Sequence, residues 1–234
     1  MKPGTTQLGS KRIGLVGGLA LRAGIFYYTE LVKHYAAMHR PLPLMLNHAD
    51  VNTVLAFVRE GDRHGLGKYL GALANELFDG GADLVAVTAV APHLAADEIA
   101  HAARGPIVNV LDLILPNLRD RSINRVAVFG NRAVMESNVF GSIPQQMIIA
   151  ASPAIIDAVH AMYTDIALNG KRGTHREVQF LDTVARELIE DGGAQAILLA
   201  GTDLSSFYAE QPPTYASVDL ARLHVDEIVR RAQL

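Results

Sequence analysis

The chain has 234 residues, a formal net charge of −3, 50% apolar and 19% charged residues, and no cysteine. That length allows one or two domains with a substantial core, and the lack of a basic run argues against a nucleic-acid partner. No apolar run is long enough to span a bilayer and no signal-peptide core is evident, so a cytoplasmic protein with no membrane partner is expected; without cysteine there are no disulfides, no Cys-ligated zinc and no thiolate chemistry.

Residues 1–11, MKPGTTQLGSK, read as a frayed leader. Arg12 to Gly17 is an apolar strand ending in glycine, and Ala23 to Ala37 carries apolar residues at helical spacing. Pro43 to His48 reads as a strand, Leu66 to Phe78 as a helix, Asp83 to Ala89 as a β-branched strand, Ala95 to Ala103 as a helix and Pro106 to Val110 as a strand. Alternation of this kind predicts a parallel sheet with helices on both faces. The series then restarts: Asn124 to Gly130 (NRVAVFG) parallels Lys11 to Gly17 (KRIGLVG). Met147 to Ala150 is expected as a strand, Pro153 to Leu168 and Thr174 to Ile189 as helices. DGGAQAILLAG, from Asp191 to Gly201, then repeats DGGADLVAVTA, from Asp79 to Ala89, at the same offset to within one residue. Gln211 to Thr214 (QPPT) reads as a linker, and Asp219 as the cap of a last helix, Leu220 to Ala232.

These markers predict two pseudo-symmetric, Rossmann-like or flavodoxin-like α/β domains with parallel sheets and an interdomain cleft. The first covers 12–116 with 214–234 returning to it; the second covers 117–213. Ligands of open α/β sheets sit beyond the carboxyl ends of the strands, so Ala89 and Gly201 should border that cleft.

The order of motifs resembles the aspartate/glutamate racemase superfamily over nearly the whole length. The resemblance rests on Gly17-Gly18 with the Phe26-Tyr27-Tyr28 helix, Gly81-Ala82-Asp83 leading to His93, and Phe129 to Ser137. It continues in His160-Ala-Met-Tyr163, Gly192 to Asp203, and Asp219 with His224. The resemblance implies a cofactor-independent and metal-free enzyme acting on a small-molecule carboxylate, commonly a homodimer. Two facing groups, usually both cysteine, would remove and return a proton beside that carboxylate. Here the two positions are Ala89 and Gly201. The residues that in relatives help hold the carboxylate correspond to Val90, Ala91 and Val134, which offer only methyl groups; Asn131 and Thr202 remain as polar candidates. Each unpaired partner costs a bound carboxylate about 1–3 kcal/mol. Ordinary two-thiol racemisation is therefore not expected.

Other ionisable groups survive near the inherited cleft. Asp203 follows the second strand end and His93 the first; they are the candidate acid–base pair. Each has a plainer alternative, Asp203 as the cap of a short turn and His93 as the cap of the next helix. Arg22, Asn47 and His48 are candidate substrate contacts, or a solvated charge and satisfied strand-end groups. His160 and Tyr163 share a helix face and suit either the half-to-half contact or a ligand. His48 and Asp50 lack an evident third metal ligand, Gly14 to Gly18 lacks the dinucleotide glycine order, and Ser205-Ser206 lacks a nucleophile elbow. Three functions stay open: a thiol-independent isomerase or lyase on a small acid with an apolar group, a non-catalytic ligand-binding or regulatory protein, and a racemase or epimerase with non-cysteine bases.

Overall fold

The structure, a computed structural model, describes residues 10–169, 174–209 and 211–234, so residues 1–9 of the leader lie outside the described residues. Lys11 is already anchored, its N–H donating to the Ala232 carbonyl at 2.8 Å. β1 (Ile13–Gly17) is apolar throughout because helices cover both its faces. After it come α1 (Leu21–Ala37), β2 (Leu44–His48), α2 (Val51–Glu60), α3 (Arg63–Asp79) and β3 (Leu84–Val87). A 3-10 turn (Ala91–Ala95), α4 (Ala96–Ala102) and β4 (Ile107–Val108) complete the first half. Its four strands form one parallel sheet in the order β2-β1-β3-β4. α2 was not foreseen. Its start is fixed by Asp50, which accepts the N–H groups of Asn52 and Thr53, and its end by Gly61 in the left-handed region.

α5 (Ile114–Asp120) leads into the second half, which contains β5 (Val126–Phe129), α6 (Arg132–Glu136), α7 (Pro153–Asn169) and α8 (His175–Arg186). A π-helical turn, β6 (Ala196–Leu199), α9 (Thr202–Phe207), β7 (Ser217–Asp219) and α10 (Leu220–Ala232) follow. The second sheet is parallel, in the order β5-β6-β7. Two sequence expectations change here. Met147 to Ala150 is no strand: a 3-10 turn follows Pro144, and only Ile148 pairs, through a single bridge to Val126. Ser217–Asp219, read as part of the segment returning to the first half, pairs with β6 of the second.

The repeated sequence marks become repeated contacts. In the first half the Arg12 guanidinium donates to the Gly80 carbonyl, and the Asp83 carboxylate accepts the Arg12 N–H. In the second, Arg125 donates to the Gly192 carbonyl and Gln195 accepts the Arg125 N–H. Gly81 (φ 94°) and Gly193 (φ 75°) sit under these guanidiniums in a conformation that favours glycine. α10 crosses back: Ala221, Val225, Ile228 and Ala232 are buried with Ile13, Leu15 and Tyr27 of the first half. Among the described residues no helix is long and apolar enough to cross a membrane.

Candidate active site

The second-half wall is built on the β6–α9 junction. Asp203 lies in the first turn of α9 and is fully buried. Its Oδ1 accepts the Ala23 N–H at 3.2 Å and its Oδ2 accepts the Tyr163 hydroxyl at 3.3 Å. The first of these bonds crosses between the halves. The N-cap of α1 is Ala20, which has no side chain able to cap it, so Asp203 satisfies one of the helix's free N–H groups from the other half. Burial raises the Asp203 pKa to about 6, against the opposing pull of these hydrogen bonds and of the nearby Arg22 charge. Tyr163, half-buried on α7, has its hydroxyl pKa pushed well up, first by burial and then by the Asp203 charge.

Gly201, the position of the second lost thiol, is covered by the same tyrosine. A Cβ placed there would run into Cε2 of the Tyr163 ring and lie 2.9 Å from Cδ2 and Cζ. The ring therefore occupies the space a side chain at 201 would need. Thr202 is buried beside it with its hydroxyl unpartnered.

The first-half wall is built on the turn that follows β3. Ala89 is 9% exposed, and its carbonyl accepts a hydrogen bond from His93 Nδ1 at 2.8 Å. That bond leaves Nε2 as the bare acceptor, buried without a partner. Burial lowers the His93 pKa to about 4, so the ring is neutral at pH 7. It packs edge-on to His224, with centroids 6.1 Å apart. His224 is fixed in turn: its Nε2 donates to the Val108 carbonyl and its Nδ1 accepts from Tyr27. Its pKa falls to about 3, by burial first and then by His93.

The remaining candidates scatter. Val90 is buried in the second half's core, in the same apolar cluster as Val134. Ala91 opens the 3-10 turn, half-buried. Asn131 caps α6 by accepting the Val134 N–H, and His160 accepts the Arg132 N–H. Asn47 turns onto α3, donating to the Leu73 carbonyl and to Glu76. Ser205 donates to Asp219, the cap of α10. No hydrogen bond joins Asp203 to His93, and neither shifts the other's pKa. His93 lines a cavity of about 210 Å³ with Val87, Asp97, Asn109 and Asp112. A second cavity, about 370 Å³, lies at the carboxyl ends of β1 and β2 and includes Gly17, Gly18, Ala20, Gly24, Ile25, Leu46, His48 and Ala167. Its lining flanks the Asp203–Tyr163 pair. Ala20 and Gly24 bracket Ala23 in sequence, and Ala167 is one turn beyond Tyr163 on α7. The part Tyr163 plays was not legible beforehand, since nothing in the sequence pairs it with Gly201. Among the described residues no group of three or more His, Asp or Glu could hold a metal ion.

An Asp/Glu racemase assignment from Yersinia pestis shares the fold at 20% identity and a TM-score of 0.81, covering 96% of this chain and 100% of that one. An aspartate racemase homologue from Pyrococcus horikoshii gives 17% identity and 0.79, over 96% and 100%. Arylmalonate decarboxylase gives 14% identity and 0.52, over 94% and 92%. No curated protein sequence matches. A family-profile scan matches Asp/Glu/hydantoin racemase over residues 16–228. With the profile spanning both halves and the two-sheet architecture shared with racemases, the chain belongs to the Asp/Glu/hydantoin racemase family.

Proposed function

We propose that this family member is a thiol-independent enzyme of lyase or isomerase type that places a proton on a small carboxylic acid bearing an apolar group. The observation that carries the reading is the Asp203 carboxyl: it is enclosed, hydrogen-bonded and held at a pKa of about 6, where it can both keep and release a proton near neutrality. His93 is the second candidate, as a neutral acceptor on the opposite half. With its pKa near 4 it is mostly unprotonated at pH 7, so the two sides differ in kind. Such asymmetry suits a reaction that needs one proton on one face, as in decarboxylation, better than it suits racemisation. The apolar cavity of about 370 Å³ beside α1 would take the hydrocarbon part, with His48 at its rim.

A second reading, a non-catalytic binder, draws on how completely Asp203 is spent on structural hydrogen bonds. Turnover separates the two. The protein is incubated in deuterated water with 2-alkyl and 2-aryl malonates, the matching monoacids and free amino acids, and carbon-bound deuterium and carbon dioxide are followed. Labelled monoacid supports the enzyme; ligand retention in native mass spectrometry without any turnover supports the binder. We further propose a homodimer through the exposed face of α1, where Ile25, Tyr28 and Val32 lie together.

A further inference from the structure

We infer that Tyr163 is the group that meets the substrate on the second-half wall, standing where the missing thiol would have stood and drawing its proton from Asp203. This rests on the proton-transfer reading above and adds the residue that executes it. Three observations converge. First, the ring fills the space into which any side chain at Gly201 would project, so the aromatic takes that place physically. Second, its hydroxyl donates to Asp203 Oδ2. Third, Asp203 has no exposed surface while part of the Tyr163 residue remains exposed, so the tyrosine is the outer member of the pair.

The position also fits the access route. Ala167, one turn on, lines the apolar cavity at the β1 and β2 strand ends, and α7 thus carries both the hydroxyl and part of the cavity wall. The groups facing Asp203 are the Tyr163 hydroxyl from α7 and, from α1, the Ala23 N–H and the Arg22 charge. The α1 groups favour its carboxylate. Burial favours its acid.

The step balances as follows. In a decarboxylation, the bond between the carboxylate carbon and its neighbour breaks, carbon dioxide leaves, and the electron pair stays as an enediolate. That carbon takes the Tyr163 hydroxyl proton: a C–H bond forms and the O–H bond breaks. This step starts from the acid form of Asp203, in which the hydrogen bond between the two is reversed and frees the Tyr163 O–H for the carbon; the Asp203 carboxyl proton then passes to the phenolate oxygen, restoring the tyrosine. Asp203 is left as carboxylate and regains a proton from solvent before the next cycle. No redox partner is needed. The tyrosine hydroxyl, with its raised pKa, stays protonated until a strongly basic carbon is present, so it acts as an acid at neutral pH.

The test uses the full chain and the malonate panel described above, comparing wild type, Tyr163→Phe and Asp203→Asn. Tyr163→Phe keeps the ring over Gly201 and removes only the hydroxyl, so the wall is preserved. The expected result is a fall in kcat of roughly 10²–10⁴-fold with KM nearly unchanged, the range for loss of a positioned general acid. Asp203→Asn should likewise lower kcat and remove the pH dependence near 6. Wild-type turnover with Tyr163→Phe equally active overturns the role given to Tyr163 and leaves the enzyme reading standing. An equal loss carried by KM alone also overturns it, since that marks binding. A wild type inert to the whole panel overturns the enzyme reading, and the role with it. Circular dichroism of each variant confirms that the comparison is between folded proteins.

Discussion

A carboxylate with no exposed surface ordinarily weakens a fold, and Asp203 is such a group. Its folded pKa of about 6 lies above the ordinary 3.8. Between these values the folded state holds the proton more tightly than the unfolded chain, so stability is present below pH 3.8 and is lost as pH rises through 6. Asp203→Asn removes the charge while keeping an acceptor for the Ala23 N–H. The melting temperature should rise relative to wild type, by more at pH 8 than at pH 4; an equal change at both values would show that the carboxylate is not strained by burial. His93 works the other way. Its folded pKa, about 4, lies below 6.5, so the unfolded chain binds its proton first and stability falls as pH drops from 6.5 toward 4. Each pH unit in that window shifts the folding equilibrium by up to tenfold. His93→Gln should lose less stability than wild type between pH 7 and 5 in urea unfolding, with His224 still contributing its share. The orphaned His93 Nε2 and Thr202 hydroxyl add a cost of about 1–3 kcal/mol each if left dry, which a ligand or water could relieve.

Among the elements, the α7–α9 contact decides whether the ancestral thiol could be restored. Cys at 89 and 201 would probe whether the pair can be rebuilt, and the packing of Tyr163 on Gly201 stands against it at the second position. Gly201→Cys should destabilise the fold by about 1–3 kcal/mol, as overpacking does. In a Tyr163→Ala background the same substitution should cost much less. The coupling is read from a double-mutant cycle of urea midpoints, and additive effects would refute the overlap. Elements were otherwise well marked in the sequence wherever apolar period and turn residues agreed. α10 matches its expected span because Asp219 caps it and its apolar positions recur at helical spacing. α2 escaped notice since its short apolar pattern runs on from β2, and its signals, Asp50 and Gly61, lie at its ends. Met147 to Ala150 looked like a strand by composition, yet Pro144 sets a 3-10 turn in its place.

At the scale of the molecule, the two halves are joined by more than a hinge. Asp203 caps α1 across the interface, Val90 enters the second core, and α10 carries His224 to Val108 and Tyr27 of the first half. These contacts tie the two halves together, while the cavity beside α1 lies at the carboxyl ends of β1 and β2. The outer face of α1 leaves Ile25, Tyr28 and Val32 exposed at 56%, 53% and 40%, next to Leu46 at 52%. A patch of this kind points to association. Light scattering after size exclusion should give twice the monomer mass, and Tyr28→Glu should return it to the monomer with no loss of secondary structure. A wild-type monomer at all concentrations would remove the dimer proposal.

The sequence by itself determined the duplicated α/β plan, the parallel strands and the loss of both thiols, because apolar period, glycine turns and residue identity are local properties. It also placed Asp203 and His93 at the strand ends. Only the tertiary structure decided that these two do not meet, that Tyr163 lies over Gly201, and that Val90 is buried in the second half's core. Those outcomes depend on how side chains from distant segments share one volume, and close packing of that kind leaves no periodic trace in the chain.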